Sequence, residues 1–277
     1  MLEFDLTHNT EMPSMCSHQP NAGERMEEFI ESGSYKHLKI VSSEKEAINK
    51  NIYQHLIDSE SKRHEIGNNL VAKFIPKKIY HYDYPGLNEY LYDRGLLQKL
   101  IKLSSSDLKK NQQMLDLFEP FADTPSYYTK PSFNKVGREF VKIEEHPDLQ
   151  LTLEEASTRK RHNMICLRKA QKEYETLKRE MGFCQKLIAE GKMNHKYGSI
   201  TRVQKPFIYN PKEIMDKLAI KQLIEYGKPD VGRLMEYVYK GFISKSELES
   251  FRQLIDIQLT FVILDLDEEA RILQNRK

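Results

Sequence analysis

The sequence predicts a mainly α-helical fold with a small α+β unit at its N-terminal side, and three observations support this. Thr152 and Glu155 form a capping box that opens a proline-free stretch, which we predict to be one helix over residues 152–191. Apolar residues recur along this stretch at spacings of three and four, which is a heptad pattern. Asn210 followed by Pro211, and the capping box of Ser244 and Glu247, predict two later helix starts.

Before residue 147, strand-like and helix-like patterns alternate, so we expect an α+β N-terminal domain with an irregular start at residues 1–34. We predict, in order, a short helix at 24–31, a strand at 35–41, a helix from Ser43 to about residue 63, paired strands at 70–75 and 78–82, a helix over 85–101 with a possible break at Gly95, a helix at 107–118, an aromatic and proline-rich linker or ordered loop at 119–135, and a strand at 136–143.

Beyond the long helix, the pattern predicts a C-terminal helical unit. A connector covers residues 197–209, and helices follow from residue 210 to 227, from 230 to 240 and from 244 onward. Residues 254–266 are very apolar, which indicates a buried helix, although residues 259–264 alone also fit a strand. The expected domains are therefore 1–147, a long basic helix with its connector at 148–205, and a helical unit at 206–277.

Composition indicates a cytoplasmic protein. Among 277 residues, 30% are charged, and no apolar run reaches the roughly 18 residues that cross a bilayer. The three cysteines are few and odd in number, which favours a reducing compartment. Residues 151–205 hold 13 basic and 6 acidic side chains, so the long helix is a basic element on a mildly acidic chain. Such an element suits an acidic protein surface or a phosphate backbone.

The heptad pattern predicts a seam that packs against a neighbour. At about 1.5 Å per residue the helix would extend roughly 57 Å, which outreaches a compact core. The neighbour is either a second copy of the chain, giving a coiled coil, or the chain's own C-terminal helices. Upstream, the register falls on Lys160 and Asn163, which are poor core residues. The seam residues are Leu167, Ala170, Tyr174, Leu177, Met181, Cys184 and Ile188.

Basic side chains of the same helix form a candidate partner-binding face. This face consists of Arg159, Lys160, Arg161, Arg168, Lys169 and Lys172. On one side of a helix these residues can displace counterions from a nucleic-acid backbone. A solvated helix face or a protein-docking surface explains them equally well, because neither a helix-turn-helix base-reading unit nor an RNA-binding aromatic sheet motif accompanies them.

Tyrosines within thirteen positions form a candidate aromatic interface. Tyrosine combines a large contact area with a polar tip, so it suits both interfaces and the margin of a core. The cluster consists of Tyr80, Tyr82, Tyr84, Tyr90 and Tyr92.

Candidate metal ligands do not assemble into a site in the sequence. His8, Cys16 and His18 suit zinc, but no spacing places a fourth ligand and no CxxC pair is present. The acidic group Asp265, Asp267, Glu268 and Glu269 fits the solvent side of a helix as well as a divalent cation, and the pairs of Glu60 with Lys62 and Glu139 with Lys142 only superficially match a nuclease site. We therefore predict no metal, no cofactor and no catalytic residue.

The sequence predicts a binding protein rather than an enzyme. GxxxxGK[ST], GxGxxG, GxSxG and HExxH are all absent, although catalytic groups can also assemble in space. We expect stoichiometric binding to another protein, with homo-oligomerisation, and inhibition of a host defence enzyme by a phage-encoded protein is one form that fits a chain poor in motifs. Nucleic-acid binding through the basic face is the main alternative, and a metal-dependent nuclease is the third.

Overall fold

The computed structural model of the protein describes residues 20–108, 111–144, 148–214 and 217–274. The helices are α1 (Ala22–Glu31), α2 (Ser34–Leu56), α3 (Tyr84–Asp93), α4 (Leu97–Leu100), α5 (Gln112–Phe118), α6 (Lys135–Phe140), α7 (Leu153–Gly182), α8 (Gln185–Glu190), α9 (Lys217–Tyr226), α10 (Val231–Tyr239), α11 (Lys245–Ser250) and α12 (Leu266–Gln274). The strands are β1 (Arg63–Gly67), β2 (Leu70–Tyr82), β3 (Ile101–Ser104), β4 (Tyr127–Phe133), β5 (Lys192–His195), β6 (Gly198–Gln204), β7 (Ile208–Tyr209), β8 (Lys228–Pro229) and β9 (Arg252–Asp265).

The fold is mixed α/β, so the prediction of a mainly helical protein with a small N-terminal α+β unit is wrong. Helices make up 55% of the structure and strands 24%, and the described residues between 63 and 265 form three small antiparallel sheets. Their strand orders are β1-β2-β9, β7-β3-β8 and β4-β6-β5. The missed strands come from segments that we predicted to be linkers or helix: β4 and β6 pair with each other across the predicted loop and connector. The predicted strand at 136–143 is instead α6 and the loop after it.

The predicted single long helix is two helices. The capping box is confirmed, because the Glu155 amide donates to Thr152 Oγ1 at 3.3 Å and the Thr152 amide donates to Glu155 Oε2 at 2.8 Å. The helix ends at Gly182, and the amide of Phe183 closes it on the carbonyls of Glu180 and Met181. After a short break, α8 ends at Gly191, whose φ of 72° is the left-handed conformation that glycine favours. At 30 residues, α7 is about 45 Å long.

Helices α2 and α7 pack as an antiparallel pair. The pairing brings His55 Nε2 to 2.7 Å from the Leu151 carbonyl at one end, and the rings of Tyr35 and Tyr174 to 5.5 Å at the other. The predicted strand at 35–41 is therefore wrong, because these residues form the first turns of α2. Its buried residues Val41, Ile48 and Ile52 recur at helical rather than alternating spacing, which places them on the face toward α7.

Strands β2 and β9 form a long antiparallel hairpin-like pair between segments far apart in the chain. Leu70 pairs with Asp265 at one end and Tyr82 pairs with Arg252 at the other, with an irregularity between Ile79 and Tyr80. Two predictions are therefore wrong: strands 70–75 and 78–82 are one strand, and the buried helix over 254–266 is β9 and the start of α12. Strand β1 pairs with β2 only as far as Lys73.

Pro76 is compatible with an uninterrupted β2 because its position faces away from β9. The amide of Phe74 donates to the Lys62 carbonyl at 2.9 Å, on the side of β1. In an antiparallel ladder the direction of the amide alternates, so position 76 also faces that side and no bond to β9 is lost.

Buried apolar residues form separate clusters that draw on distant segments. One cluster combines residues 87–122 with residues 207–251, and another combines α1 with residues 133–141 and 174–200. A third joins α2 and β2 to residues 149–164 and to Phe261 and Ile263 of β9. Whether the predicted units 1–147, 148–205 and 206–277 fold separately stays a prediction. Within the described residues, every helix is too short or too polar to cross a membrane.

Candidate interaction surface

The heptad seam of α7 packs inside the chain. Leu167 and Ala170 lie against Val41 of α2, and Leu177 and Met181 lie in the cluster with Met26 and Ile30 of α1. Tyr174 packs between the rings of Phe29 and Tyr35, at 5.8 and 5.5 Å. Cys184 is half-buried beyond the break, and Ile188 is 36% exposed. The seam therefore meets the N-terminal helices, not the C-terminal helices that we considered, and its buried part is closed to another chain.

The polar positions of the seam also lie in the contact between α2 and α7. Lys160 is 3% exposed, and its ammonium donates to Asn49 Oδ1 at 2.6 Å. Asn163 is 1% exposed and donates from Nδ2 to the Val41 carbonyl at 2.8 Å and to Glu44 Oε2 at 2.9 Å. Burial, and to a smaller extent repulsion from Lys45, lowers the pKa of Lys160 to about 8. These polar groups replace apolar knobs in the helix pair and fix its register.

The predicted basic face is not one surface. Arg159 is paired with Glu44 at 2.6 Å, Arg161 is paired with Asp265, and Lys160 is buried. Of the six residues of the predicted face, only Arg168, Lys169 and Lys172 are exposed. Half of the side chains that we expected to meet phosphate or protein therefore stabilise the chain's own fold, which leaves a short exposed group for solvent or a partner.

The five predicted interface tyrosines divide into two groups. Tyr80, Tyr82 and Tyr84 pack on one another where β2 ends, with the Tyr82 and Tyr84 rings stacked at 5.4 Å. Tyr90 is half-buried against Phe251, with the Arg94 guanidinium 4.5 Å above its ring, and Tyr92 is 49% exposed. Only the first group adjoins a larger apolar surface.

An open cleft of about 450 Å³ lies between the end of α7 and the sheet of β4 and β6. The Arg202 guanidinium lies 3.6 Å above the centre of the Tyr127 ring, and Phe183 at the rim is 72% exposed. Lys178 and Arg179 add positive charge. However, the carboxyl end of α7 carries partial negative charge, which opposes a bound anion. We assign no ligand to this cleft.

The most exposed apolar run of the chain's sheets belongs to β9. Leu254, Ile255, Ile257 and Leu259 are 45%, 61%, 52% and 57% exposed. Only β2 pairs with β9 among the described strands, so no described strand covers the other edge of β9. We call residues 75–82 of β2 with residues 252–260 of β9 the ribbon. A two-stranded ribbon is marginally stable by itself, and exposed aliphatic residues on it indicate a contact surface.

One side of the ribbon, which we call the apolar face, continues the hydrophobic core outward. Phe261 packs against Phe74 at 5.0 Å and Tyr53 at 5.4 Å, so its side chain marks the core side of the sheet. Side chains two residues apart share a side, so Leu259 and Ile257 lie on this side too. Across the ladder, Pro76 pairs with Leu259, and Tyr80 pairs with Leu254. The apolar face consists of Pro76, Tyr80, Leu254, Ile257 and Leu259, and the side chain of Lys78 lies on the same side, opposite Ile257.

Sequence reasoning missed this surface because it interpreted residues 254–266 as a buried helix. The signal that distinguishes a strand is the β-branched content of Ile255, Ile257, Thr260, Val262 and Ile263. Exposure has no such signal in the sequence, because a buried helix and an unpartnered strand are equally apolar.

The acidic side chains near residue 267 form ion pairs and hydrogen bonds with other parts of the fold. Glu269 is 6% exposed and binds Arg63 at 2.8 Å and Lys73 at 2.6 Å. Hydrogen bonds from Arg63 and Lys73 lower its pKa to about 2. Asp265 accepts from Asn69 Nδ2 at 2.8 Å and is paired with Arg161. These carboxylates hold α12 and β9 to β1, β2 and α7.

No metal-binding group is found in the part of the chain that the structure describes. There, His, Cys, Asp and Glu side chains form no cluster of three or more that could hold an ion. His8, Cys16 and His18 lie outside the described residues.

Comparisons with known proteins identify no relative. No family model, curated protein or solved structure matches the chain. The function is therefore argued from the ribbon alone.

Proposed function

We propose that this protein binds another protein stoichiometrically, without catalysis, through the apolar face of the ribbon. The observation that supports this is the exposure of Leu254, Ile257 and Leu259 to 45%, 52% and 57%. Fully burying one aliphatic side chain contributes about 1.5–3 kcal/mol, so covering the exposed halves of these three contributes roughly 2–5 kcal/mol. That is enough for the centre of an interface, provided that polar contacts surround it.

The partner surface is expected to be apolar and to lack a strong charge. Between residues 253 and 264, Asp256 is the only charged side chain of β9. Lys78 of β2 adds one positive charge on the side of the apolar face, so charge steering is small and association depends mainly on shape and apolar burial. Inhibition of a host enzyme by a phage-encoded protein is a specific form of this function that stays a prediction.

Affinity capture from cells that express the tagged protein tests the proposal. Ile257→Lys places a charge on the apolar face, and Ile165→Lys is the matched control because Ile165 is 61% exposed on α7, away from the ribbon. We expect a partner in equimolar amount with the wild type and with Ile165→Lys, and its loss with Ile257→Lys. Calorimetry on the purified pair should give a negative heat-capacity change. Equal recovery by all three proteins, or no equimolar partner, would reject the proposal.

A further inference from the structure

We propose that the free edge of β9 pairs with β9 of a second copy of this chain, which joins the two ribbons into a four-stranded antiparallel sheet. This inference rests on the proposed function, because it names a second copy as one partner of the ribbon. It adds a different contact, since main-chain groups at the edge make it, whereas the proposed function uses side chains on the apolar face.

The two outer edges of the ribbon differ in how they resist pairing. The outer edge of β2 carries Pro76, Lys77 and Lys78, and proline and lysine are the residues that keep an edge strand from pairing with other chains. Strand β9 carries neither between Arg252 and Asp265. Apart from the irregularity between Leu254 and Asp256 and the bond from the Ile257 amide to Asp256, the edge of β9 lacks such protection, which points to pairing at this strand.

The direction of the amides shows which groups are available. Phe74 bonds toward β1, and it pairs with Phe261 in the ladder. Positions 74 and 261 therefore form a pair without mutual hydrogen bonds, and the main-chain groups of Phe261 point to the free edge. The alternation places the groups of Leu259 and Ile257 there too, but the Ile257 amide already donates to Asp256 Oδ1 at 2.8 Å, which leaves only its carbonyl available. The position of Pro76 is consistent with this assignment, because Pro76 pairs with Leu259 and has no main-chain N–H to donate to it.

A two-fold axis at Leu259 satisfies these groups on both copies. It places Ile257 of each copy opposite Phe261 of the other, and the amides of Leu259 and Phe261 with the carbonyls of Leu259 and Ile257 provide about four main-chain hydrogen bonds across the axis. Asp256 then faces Val262 of the second copy, so the two Asp256 carboxylates do not oppose each other. The side chains of Ile257, Leu259 and Phe261 gain apolar neighbours on the same face.

A second copy fits this edge better than an unrelated strand. The segment 253–264 has one charged residue, so it offers no charge pattern that would select a partner of opposite sign. A 14-residue strand is about 46 Å long, and a contact strip about 10 Å wide along it covers roughly 460 Å² per copy. Over both copies this is about 920 Å², below the roughly 1,200 Å² of stable interfaces, so a weak dimer that depends on protein concentration is expected.

Proline at position 259 tests the pairing without a loss of bonds to β2. Leu259→Pro removes the main-chain amide that points to the free edge at the axis. No bond to β2 is lost, because this amide points away from Pro76, its ladder partner, which has no amide either. The matched control Leu259→Ala shortens the side chain and keeps the amide. Light scattering at tens of micromolar should give about twice the chain mass of 32.7 kDa for the wild type and for Leu259→Ala, and the single mass for Leu259→Pro.

Hydrogen exchange on the wild type keeps the inference testable if Leu259→Pro does not fold. The outward amides of Leu259 and Phe261 should be protected at high protein concentration and lose protection on dilution. A monomeric wild type, a dimeric Leu259→Pro, or outward amides that exchange freely at every concentration would each overturn the pairing. A monomeric wild type whose partner capture still depends on Ile257 would leave the proposed function standing and remove only the second copy.

Discussion

Replacing Lys160 with methionine tests the buried charge between α2 and α7. The Lys160 ammonium is 3% exposed, and burial holds its pKa at about 8. In an unfolded chain the lysine pKa is about 10.4. The folded protein therefore loses this proton at lower pH than the unfolded chain does, and between pH 8 and about 10.4 the unfolded state binds more protons. The free energy of unfolding of the wild type consequently rises with pH through that window.

The pKa difference sets the size of the effect. The lowering of the Lys160 pKa from 10.5 to about 8 means that burial destabilises the charged form in the folded protein by about 3 kcal/mol at pH 7. Methionine removes this penalty and fits a similar volume, but it also removes the hydrogen bond to Asn49, which contributes about 1–3 kcal/mol. The net expectation is that Lys160→Met is more stable than the wild type at pH 7 by about 1 kcal/mol.

Urea unfolding of both proteins at pH 7 and pH 10 isolates this group. Relative to Lys160→Met, the wild type should gain about 2 kcal/mol between the two pH values, because titrations of all other groups cancel in the difference. Lys169→Met, at an exposed position of the same helix, serves as the control and should follow the wild type. Identical pH dependence of Lys160→Met and the wild type would refute the reasoning.

Three further substitutions test other parts of the fold. The pair Leu177→Asp and Met181→Asp should destabilise the chain by more than about 4 kcal/mol, because both side chains are buried against α1; an unchanged urea midpoint would contradict this. The melting temperature of Glu269→Gln should fall less between pH 4.5 and pH 2 than that of the wild type. The lowered pKa of Glu269 stabilises the wild-type fold above pH 4.5, and the wild type loses this stabilisation as the pH falls to about 2. Gly198→Ala should destabilise far more than Gly191→Ala in thermal melts, because a Cβ at 198 meets the Ser132 carbonyl, whereas at 191 only the left-handed φ costs about 1 kcal/mol.

Two helix starts were predictable from neighbouring residues, whereas the start predicted at Ser43 is wrong because Ser43 lies inside α2. The capping boxes of Thr152 with Glu155 and of Ser244 with Glu247 are both present, since each depends on atoms three residues apart. The break after Gly182 was not predictable from propensity, because Phe183 and Cys184 carry no strong stop signal. Residues 35–41 were predicted to be a strand because the helix that packs against them, α7, lies more than a hundred residues later in the chain.

The candidate site was the least predictable part, since it depends on pairing between distant segments. Strand β9 needs β2, and Tyr82 is paired with Arg252. Without that partner, Leu254 and Ile257 look like core residues. The basic face was identified by charge alone, and the acids that bind Arg159 and Arg161 come from α2 and from the end of β9.

The distance along the chain between β2 and β9 has a consequence during synthesis. Tyr82 is made about 170 residues before its ladder partner Arg252, which at roughly 5–20 residues per second is a delay of about 10–30 seconds. Throughout that time β2 has no strand on the side that β9 later occupies. The missing amide of Pro76 faces the other edge, so on this side the positive charges of Lys77 and Lys78 are what oppose pairing between nascent chains on one messenger.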